Sequence, residues 1–245
     1  MPPRGVPVLL YHSIDGSKSS SSVAPATFAL QMAYLKRACW NTITVDVLLE
    51  SIRRGQLPKK CVVITFDDGF RNALTEALPV LGKLGFTATV FAATGFIGGR
   101  NTYIKRAMPE QQMLSWHELR MLASAGWQIE SHGQTHTDLP LLAHEQVLSE
   151  LVNSRAEIER LVGVRPSHFC YPRGKYTQPI VDSVCKIGYR SAMSLRAGLV
   201  TKKSNPWLLE RLWVVDTSLL HFRALLTQPY SWFARLRRRM FQTTY

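Results

Sequence analysis

Long apolar runs are absent from this 245-residue chain. No stretch reaches the roughly 18 consecutive apolar residues that a membrane-crossing helix needs. The first ten residues carry one arginine and a very short apolar run, without the apolar centre of a secretory signal. Cysteine is scarce: Cys39, Cys61, Cys170 and Cys185 are widely spaced and none forms a Cys-x-x-Cys pair. They read as reduced thiols that behave as small hydrophobes, and with the missing signal they set the expectation of a cytoplasmic protein. Acids are few, 17 against 30 Lys and Arg, which leaves a net charge of +13, and no acid follows Asp216. Such a balance suits a polyanion or a membrane surface. No nucleic-acid-binding motif accompanies it, so nucleic acid is not an expected partner. Internal repeats and interdomain linkers are also lacking.

What is present is a globular composition, 46% hydrophobic, at a length that suits one α/β barrel. Short apolar stretches at 6–11, 62–66, 87–91, 127–130, 168–171, 189–193 and 208–215 read as strands. Helical patterns begin at Thr27 and span 45–54, 73–84, 142–161 and 178–187, with Gly55, Gly85 and Gly163 as stops. Ser115 and Glu118 form a capping-box pattern for a helix to about Ala125. Residues 13–22 are Ser-rich and expected as a mobile loop, and 97–113 as an irregular loop on the substrate side. Strand and helix alternate along nearly the whole chain, which predicts a parallel sheet or a closed βα barrel. In such folds the chemistry sits at the carboxyl ends of the strands.

The apolar run Cys61-Val62-Val63-Ile64 leads into Thr65-Phe66-Asp67-Asp68-Gly69. Two adjacent carboxylates at the end of a buried strand lose water and repel each other, and a cation removes that cost. Asp68, His132 and His136 supply one carboxylate and two imidazoles, the ligand set of an open zinc or iron site. Asp67 is left as a base, and the pattern points to metal-assisted hydrolysis. Taken singly, Asp-Gly could be a solvated turn and the histidine pair could bind nothing. Adjacent acids cannot flank a sugar from opposite sides, which argues against a paired-carboxylate glycosidase. His117, His144 and His168 read as surface or supporting groups.

These residues resemble the polysaccharide deacetylases, the NodB-homology domain of carbohydrate esterase family 4. Thr65-Phe66-Asp67-Asp68-Gly69 is similar to their first motif and Ser131-His132-Gly133-Gln134-Thr135-His136 to their second. Arg165-Pro166-Ser167-His168-Phe169-Cys170-Tyr171-Pro172 is similar to the third. The resemblance covers roughly residues 6–215, so 1–216 is expected to be the deacetylase catalytic domain. Residues 217–245 are expected as a basic, aromatic-rich tail, with peripheral contact to the inner membrane face through 221–245.

The resemblance implies an α/β fold, a distorted (β/α) barrel of about seven strands. It also implies a divalent metal on Asp68, His132 and His136, zinc by preference, with cobalt, nickel, iron and manganese open. It implies Asp67 as general base, Arg165 paired with Asp67, and the Tyr171 backbone N–H at the oxyanion. The substrate implied is an N-acetylated amino-sugar glycan or a lipid-linked glycan intermediate. Leu10-Tyr11-His12-Ser13-Ile14 resembles a branch whose amino-terminal histidine is the general acid, which implies that role for His12. His221, in Thr217-Ser218-Leu219-Leu220-His221, is the alternative. Leu209-Glu210-Arg211-Leu212 resembles the late Arg-containing strand of that branch, which implies support of the site by Arg211. The family's usual fourth motif, an Asp with Trp near residue 190, is missing. That departure keeps open a silent glycan-binding relative, and the motifs do not separate an N-deacetylase from an O-acetyl esterase.

Overall fold

The structure is a computed structural model that describes residues 5–104 and 109–227. Seven parallel strands close into a barrel: β1 (Val8–Tyr11), β2 (Cys61–Phe66), β3 (Thr89–Ala92), β4 (Gln128–Ser131), β5 (His168–Cys170), β6 (Ser191–Ala197) and β7 (Leu209–Trp213). Each pairs with the next in sequence, and β1 pairs with both β7 and β2, which closes the ring. The connecting helices are α1 (Pro25–Arg37), α2 (Val45–Arg53), α3 (Leu78–Leu84), α4 (Trp116–Ser124), α5 (His144–Val162), α6 (Gln178–Ile187) and α7 (Leu219–Thr227). The expected barrel is therefore the observed one.

Local chemistry explains the element ends. Ser115 Oγ accepts from the Glu118 N–H while Glu118 Oε2 accepts from the Ser115 N–H, so α4 starts at a complete capping box. Gly85 (φ 67°) and Gly163 (φ 84°) stop α3 and α5 in the left-handed region that glycine enters without penalty.

Alternation along the strands sorts side chains to two faces. Leu9, Tyr11, Val62, Ile64, Phe66, Val90 and Ala92 point out to the helices in the main core. Val8, Val63, Phe91, Cys170, Met193 and Leu209 form a second cluster inside the barrel, joined by Val45, Leu48 and Ile52 of α2. Asp46 on α2 meets Gln128, His168 and Arg190, all at the amino ends of strands, so α2 crosses that end of the barrel. His168 is fully buried there, with Nδ1 against Ser191 Oγ at 2.8 Å. It is neither a surface group nor a support of the opposite, carboxyl end.

Two expectations change with the tertiary structure. Residues 13–22 are not a free loop. Ser13–Ile14 pairs with Ser22–Val23, and Asp15 and Ser13 bond Gln111 across the chain. The segment set apart as a tail begins inside the domain: Phe222, Leu225 and Leu226 of α7 are buried in the main core, and Phe222 packs edge-on to Tyr34 of α1. The charge pattern marks no packing boundary at residue 216. The arginine- and aromatic-rich remainder lies outside the described residues. Among the described residues no helix is long and apolar enough to cross a membrane.

Candidate active site

The register of the barrel brings the acids and His12 together. Tyr11 lies opposite Phe66, so His12 and Asp67 leave β1 and β2 side by side at the carboxyl end. By the alternation that sends Val63 inward, Asp67 also points into the barrel. Arg211 on β7 follows Leu209 with the same parity. The two meet as a buried bidentate pair, Nη1 to Oδ1 at 2.7 Å and Nη2 to Oδ2 at 2.8 Å, both residues about 2% exposed. Arg211 Nε also donates to the Ser194 carbonyl, and Nη2 to Cys170 Sγ at 3.0 Å. The Cys170 thiol lies 3.3 Å from Asp67 Oδ2 and donates to it. Burial pushes the Asp67 carboxyl up, but the Arg211 guanidinium and the nearby imidazoles outweigh it and hold it below the usual carboxylate range. Burial and the adjacent Asp67 keep the Cys170 thiol protonated.

Asp68, His132 and His136 form a second buried cluster, their candidate donor atoms all within 4.8 Å of one another. Asp68 Oδ1 lies 3.6 Å from His132 Nε2 and 3.2 Å from His136 Nε2. Ligands about 2.0–2.1 Å from a tetrahedral zinc stand about 3.3 Å apart, so this spacing fits a shared cation. Asp68 Oδ1 is buried without a hydrogen-bond partner among the described residues, as a ligand oxygen would be. His132 Nδ1 lies 2.8 Å from the Cys170 carbonyl, which fixes the N–H there and leaves the Nε2 lone pair facing Asp68. Burial lowers the His132 pKa to about 4 against the raising effect of Asp67, so the ring is neutral at neutral pH. Asp68 is pushed up by burial but held well below its usual range by His136, and is ionised. One carboxylate and two imidazoles suit a divalent cation.

The backbone around these donors is forced. Six described non-glycine residues have positive φ, and three of them, Asp68 (φ 72°), His136 (φ 55°) and Arg173 (φ 53°), lie on the loops at this end of the barrel. Glu150 on α5 holds the loop that carries His136. Its Oε2 accepts from the Gln134 and Thr135 N–H groups at 2.7 and 2.9 Å, and its Oε1 from the Thr135 hydroxyl. A Cβ on Gly133 (φ 77°) would sit 3.0 Å from that Oε2, so only glycine passes there without displacing the carboxylate.

His12 packs against Trp213 with the rings tilted and their centroids 5.1 Å apart, and its Nδ1 is buried without a hydrogen-bond partner among the described residues. Burial lowers its pKa, opposed by the Asp68 and Asp67 carboxylates. The structure thus brings together Asp67, Asp68, His12, His132 and His136.

Three expectations end differently. Arg165 does not pair with Asp67; it lies ahead of β5, at the amino end of the strand, exposed and 3.6 Å from Glu159. The partner of Asp67 is Arg211, because barrel closure puts β7 beside β1. The Tyr171 N–H donates to the Met193 carbonyl at 3.2 Å in the sheet, so it is not a free oxyanion donor. His221 sits on the first turn of α7, the helix that packs on α1. Tyr103, Cys170 and Glu150 were missed. Tyr103 comes from the expected substrate-side loop and packs on His136 at 4.6 Å. Only the apolar context of Cys170, followed by the Tyr-Pro pair, could have hinted at its place.

Residues 54–192 match the model of the polysaccharide deacetylase family. YxkH of Bacillus subtilis strain 168, whose name places it among polysaccharide deacetylases, is 30% identical over 211 residues, covering 86% of this chain and 71% of that protein. The poly-β-1,6-N-acetyl-D-glucosamine N-deacetylase of Staphylococcus aureus strain MSSA476 is 26% identical over 211 residues, 82% of this chain and 70% of the relative. The solved structure of the Streptococcus pyogenes deacetylase PplD in complex with acetate superposes with TM-score 0.80 over 93% of this chain and 100% of that one; at 20% identity this likeness speaks for the fold alone.

Proposed function

The chain belongs to the polysaccharide deacetylase family, and from that premise we propose that it is a divalent-metal-dependent hydrolase that removes N-acetyl groups from an amino-sugar glycan or a lipid-linked glycan intermediate. The observation that carries the reading is the pairing of the donor set Asp68, His132 and His136 with the buried base Asp67, at the barrel end where such folds do chemistry. The name of the Staphylococcus aureus relative supports an amide-linked acetyl group on glucosamine as the target.

Asp68, His132 and His136 would hold the cation, with zinc the best match to one carboxylate and two imidazoles. When bound, the cation supplies polarisation of the acetyl carbonyl and acidification of water. Arg211 keeps Asp67 ionised and fixes its plane, so the carboxylate is ready to take a proton at neutral pH. His12 carries the proton for the leaving amine; the two carboxylates beside it favour the imidazolium while burial opposes it. Barrel walls built of Phe91, Cys170 and Met193 exclude water beneath these groups. The basic and aromatic residues of 221–245, apart from the buried Phe222, support a second part of the proposal, peripheral contact with an anionic membrane face.

The test is acetate release from a panel of N-acetylated oligosaccharides, with metal stripped and then zinc or cobalt returned. Metal-restored release that vanishes in Asp67→Asn, with metal still bound, supports the proposal. Full activity in Asp67→Asn, or release unaffected by stripping, overturns it. Release from O-acetyl sugars alone would replace it with an esterase.

A further inference from the structure

We propose that Arg173 and Lys175, held on Asp138, form an anion-binding subsite beside the loop of His132 and His136, and that the favoured substrate is an N-acetylated amino sugar carrying an oxyanion, phosphate or carboxylate, near the acetamido group. The inference rests on the deacetylase reading of the adjacent site and names its substrate class.

The charge count is the first ground. Asp138 Oδ1 takes Arg173 Nη1 at 3.1 Å and Oδ2 takes Lys175 Nζ, so two cations share one carboxylate. A structural clamp on Asp138 needs only one of them. Asp138 itself neutralises only one of the two. The carboxylate is the buried partner, its side chain 9% exposed, whereas the Arg173 and Lys175 side chains are 35% and 47% exposed. A guanidinium offers five N–H donors and an ammonium three, and the bonds to Asp138 use one of each. Both side chains are partly open to solvent, the guanidinium being a planar fork that matches phosphate and carboxylate and the ammonium a compact point charge.

Placement is the second ground. Arg173 stands two residues after Tyr171, at the carboxyl end of β5. Asp138 stands two residues after His136, and two residues of chain span at most about 7 Å. The pair therefore lies within reach of a substituent on a sugar whose acetamido group meets the His132–His136 loop. The positive charge of Arg173 also acts on the Tyr103 phenol, whose ring packs on His136.

Backbone conformation is the third ground. Arg173 (φ 53°, ψ 18°) occupies the left-handed region, which non-glycine residues avoid, and it shares this with Asp68 and His136 of the proposed centre. Gly174 (φ 65°) follows, and a Cβ there would lie 2.6 Å from Leu195. The chain is packed into a turn that aims a charged residue where a relaxed turn would not require one.

The experiment uses the full chain loaded with zinc and compares acetate release from diacetylchitobiose, its 1-phosphate, and a disaccharide of N-acetylglucosamine with glucuronate. The expected result is that one or both anionic substrates exceed the neutral one in kcat/KM by about tenfold, with the preference falling as salt rises. Arg173→Gln and Lys175→Gln each reduce that ratio severalfold through KM, and thermal melting shows that each variant is folded. Comparing the phosphate and glucuronate arms identifies the source of the oxyanion. Equal kcat/KM for neutral and anionic substrates, or a ratio unmoved in both variants, overturns the subsite. Should no substrate release acetate, the deacetylase reading fails on its own. The subsite is then judged by titrating inorganic phosphate and glucuronate against the protein by NMR: binding that Arg173→Gln weakens retains it, and identical binding or none overturns it.

Discussion

Removing Arg211 while leaving Asp67 in place tests the central electrostatic argument. Arg211→Met keeps much of the volume of the side chain but takes away both bonds to Asp67 and those to Ser194 and Cys170. Breaking a buried pair from one side leaves a charge without compensation, a loss of about 3–5 kcal/mol. In a domain of this size each kcal/mol moves the midpoint by about 2–4 °C, so the variant should melt roughly 6–20 °C below the parent. The double variant Asp67→Asn with Arg211→Met removes both charges, and should recover about half or more of that loss. The pH dependence has a definite sign. In the parent, Asp67 is held below its usual value of 3.8, so its stabilising contribution is present above that value and is lost as pH falls through the folded value. In Arg211→Met the largest lowering influence is gone and burial raises the carboxyl against only the nearby imidazoles, so its penalty is greatest at neutral pH and eases as the group protonates. The gap between parent and variant should therefore be widest near pH 7 and narrow toward about pH 5. Urea unfolding of the metal-stripped proteins followed by circular dichroism reads all three quantities. A loss below about 1 kcal/mol at pH 7, or a double variant as unstable as the single, would refute the reasoning.

Other outcomes follow from the same geometry. Asp68→Asn and His136→Ala should abolish stoichiometric binding of zinc, measured by equilibrium dialysis. Arg165→Ala, on an exposed pair with Glu159, should change neither binding nor stability by more than about 0.5 kcal/mol. Glu150→Ala frees the loop of His136 and should weaken zinc binding about 10–100-fold in a chelator competition; unchanged affinity would deny Glu150 that role. Glu130 is raised to about 7 by burial, with His168 and the Ser167 and His168 amides opposing, so its protonated form is favoured in the fold. Its contribution is complete below the unfolded value near 4.5 and is lost as pH rises through about 7, up to roughly 3 kcal/mol. Glu130→Gln should flatten the pH 5–8 stability profile of the parent, and an unaltered profile would contradict this. A chain ending at Thr227 keeps the buried residues of α7, and should lose sedimentation with anionic vesicles if the residues beyond it make the membrane contact.

The amino-acid sequence by itself determined the alternation of strands and helices, because short β-branched runs and glycine-stopped amphipathic stretches are local signals. It also pointed to the candidate donor set: Asp68 stands two residues after a strand, and His132 and His136 are four residues apart on one loop, a set of types and spacing that suits a cation. What the sequence could not settle was which distant groups face each other across the barrel. The Arg-Pro start near residue 165 and Arg211 are equally visible in one dimension, but only closure of β7 on β1, with inward parity shared by Asp67 and Arg211, decides that the second meets Asp67. The same closure commits the Tyr171 N–H to the Met193 carbonyl and puts the Cys170 thiol against Asp67. It also draws Phe222, Leu225 and Leu226 into the core from a segment whose charge had set it apart. Pairing across a closed barrel depends on register and handedness summed over many strands, and no local pattern of residues contains that sum.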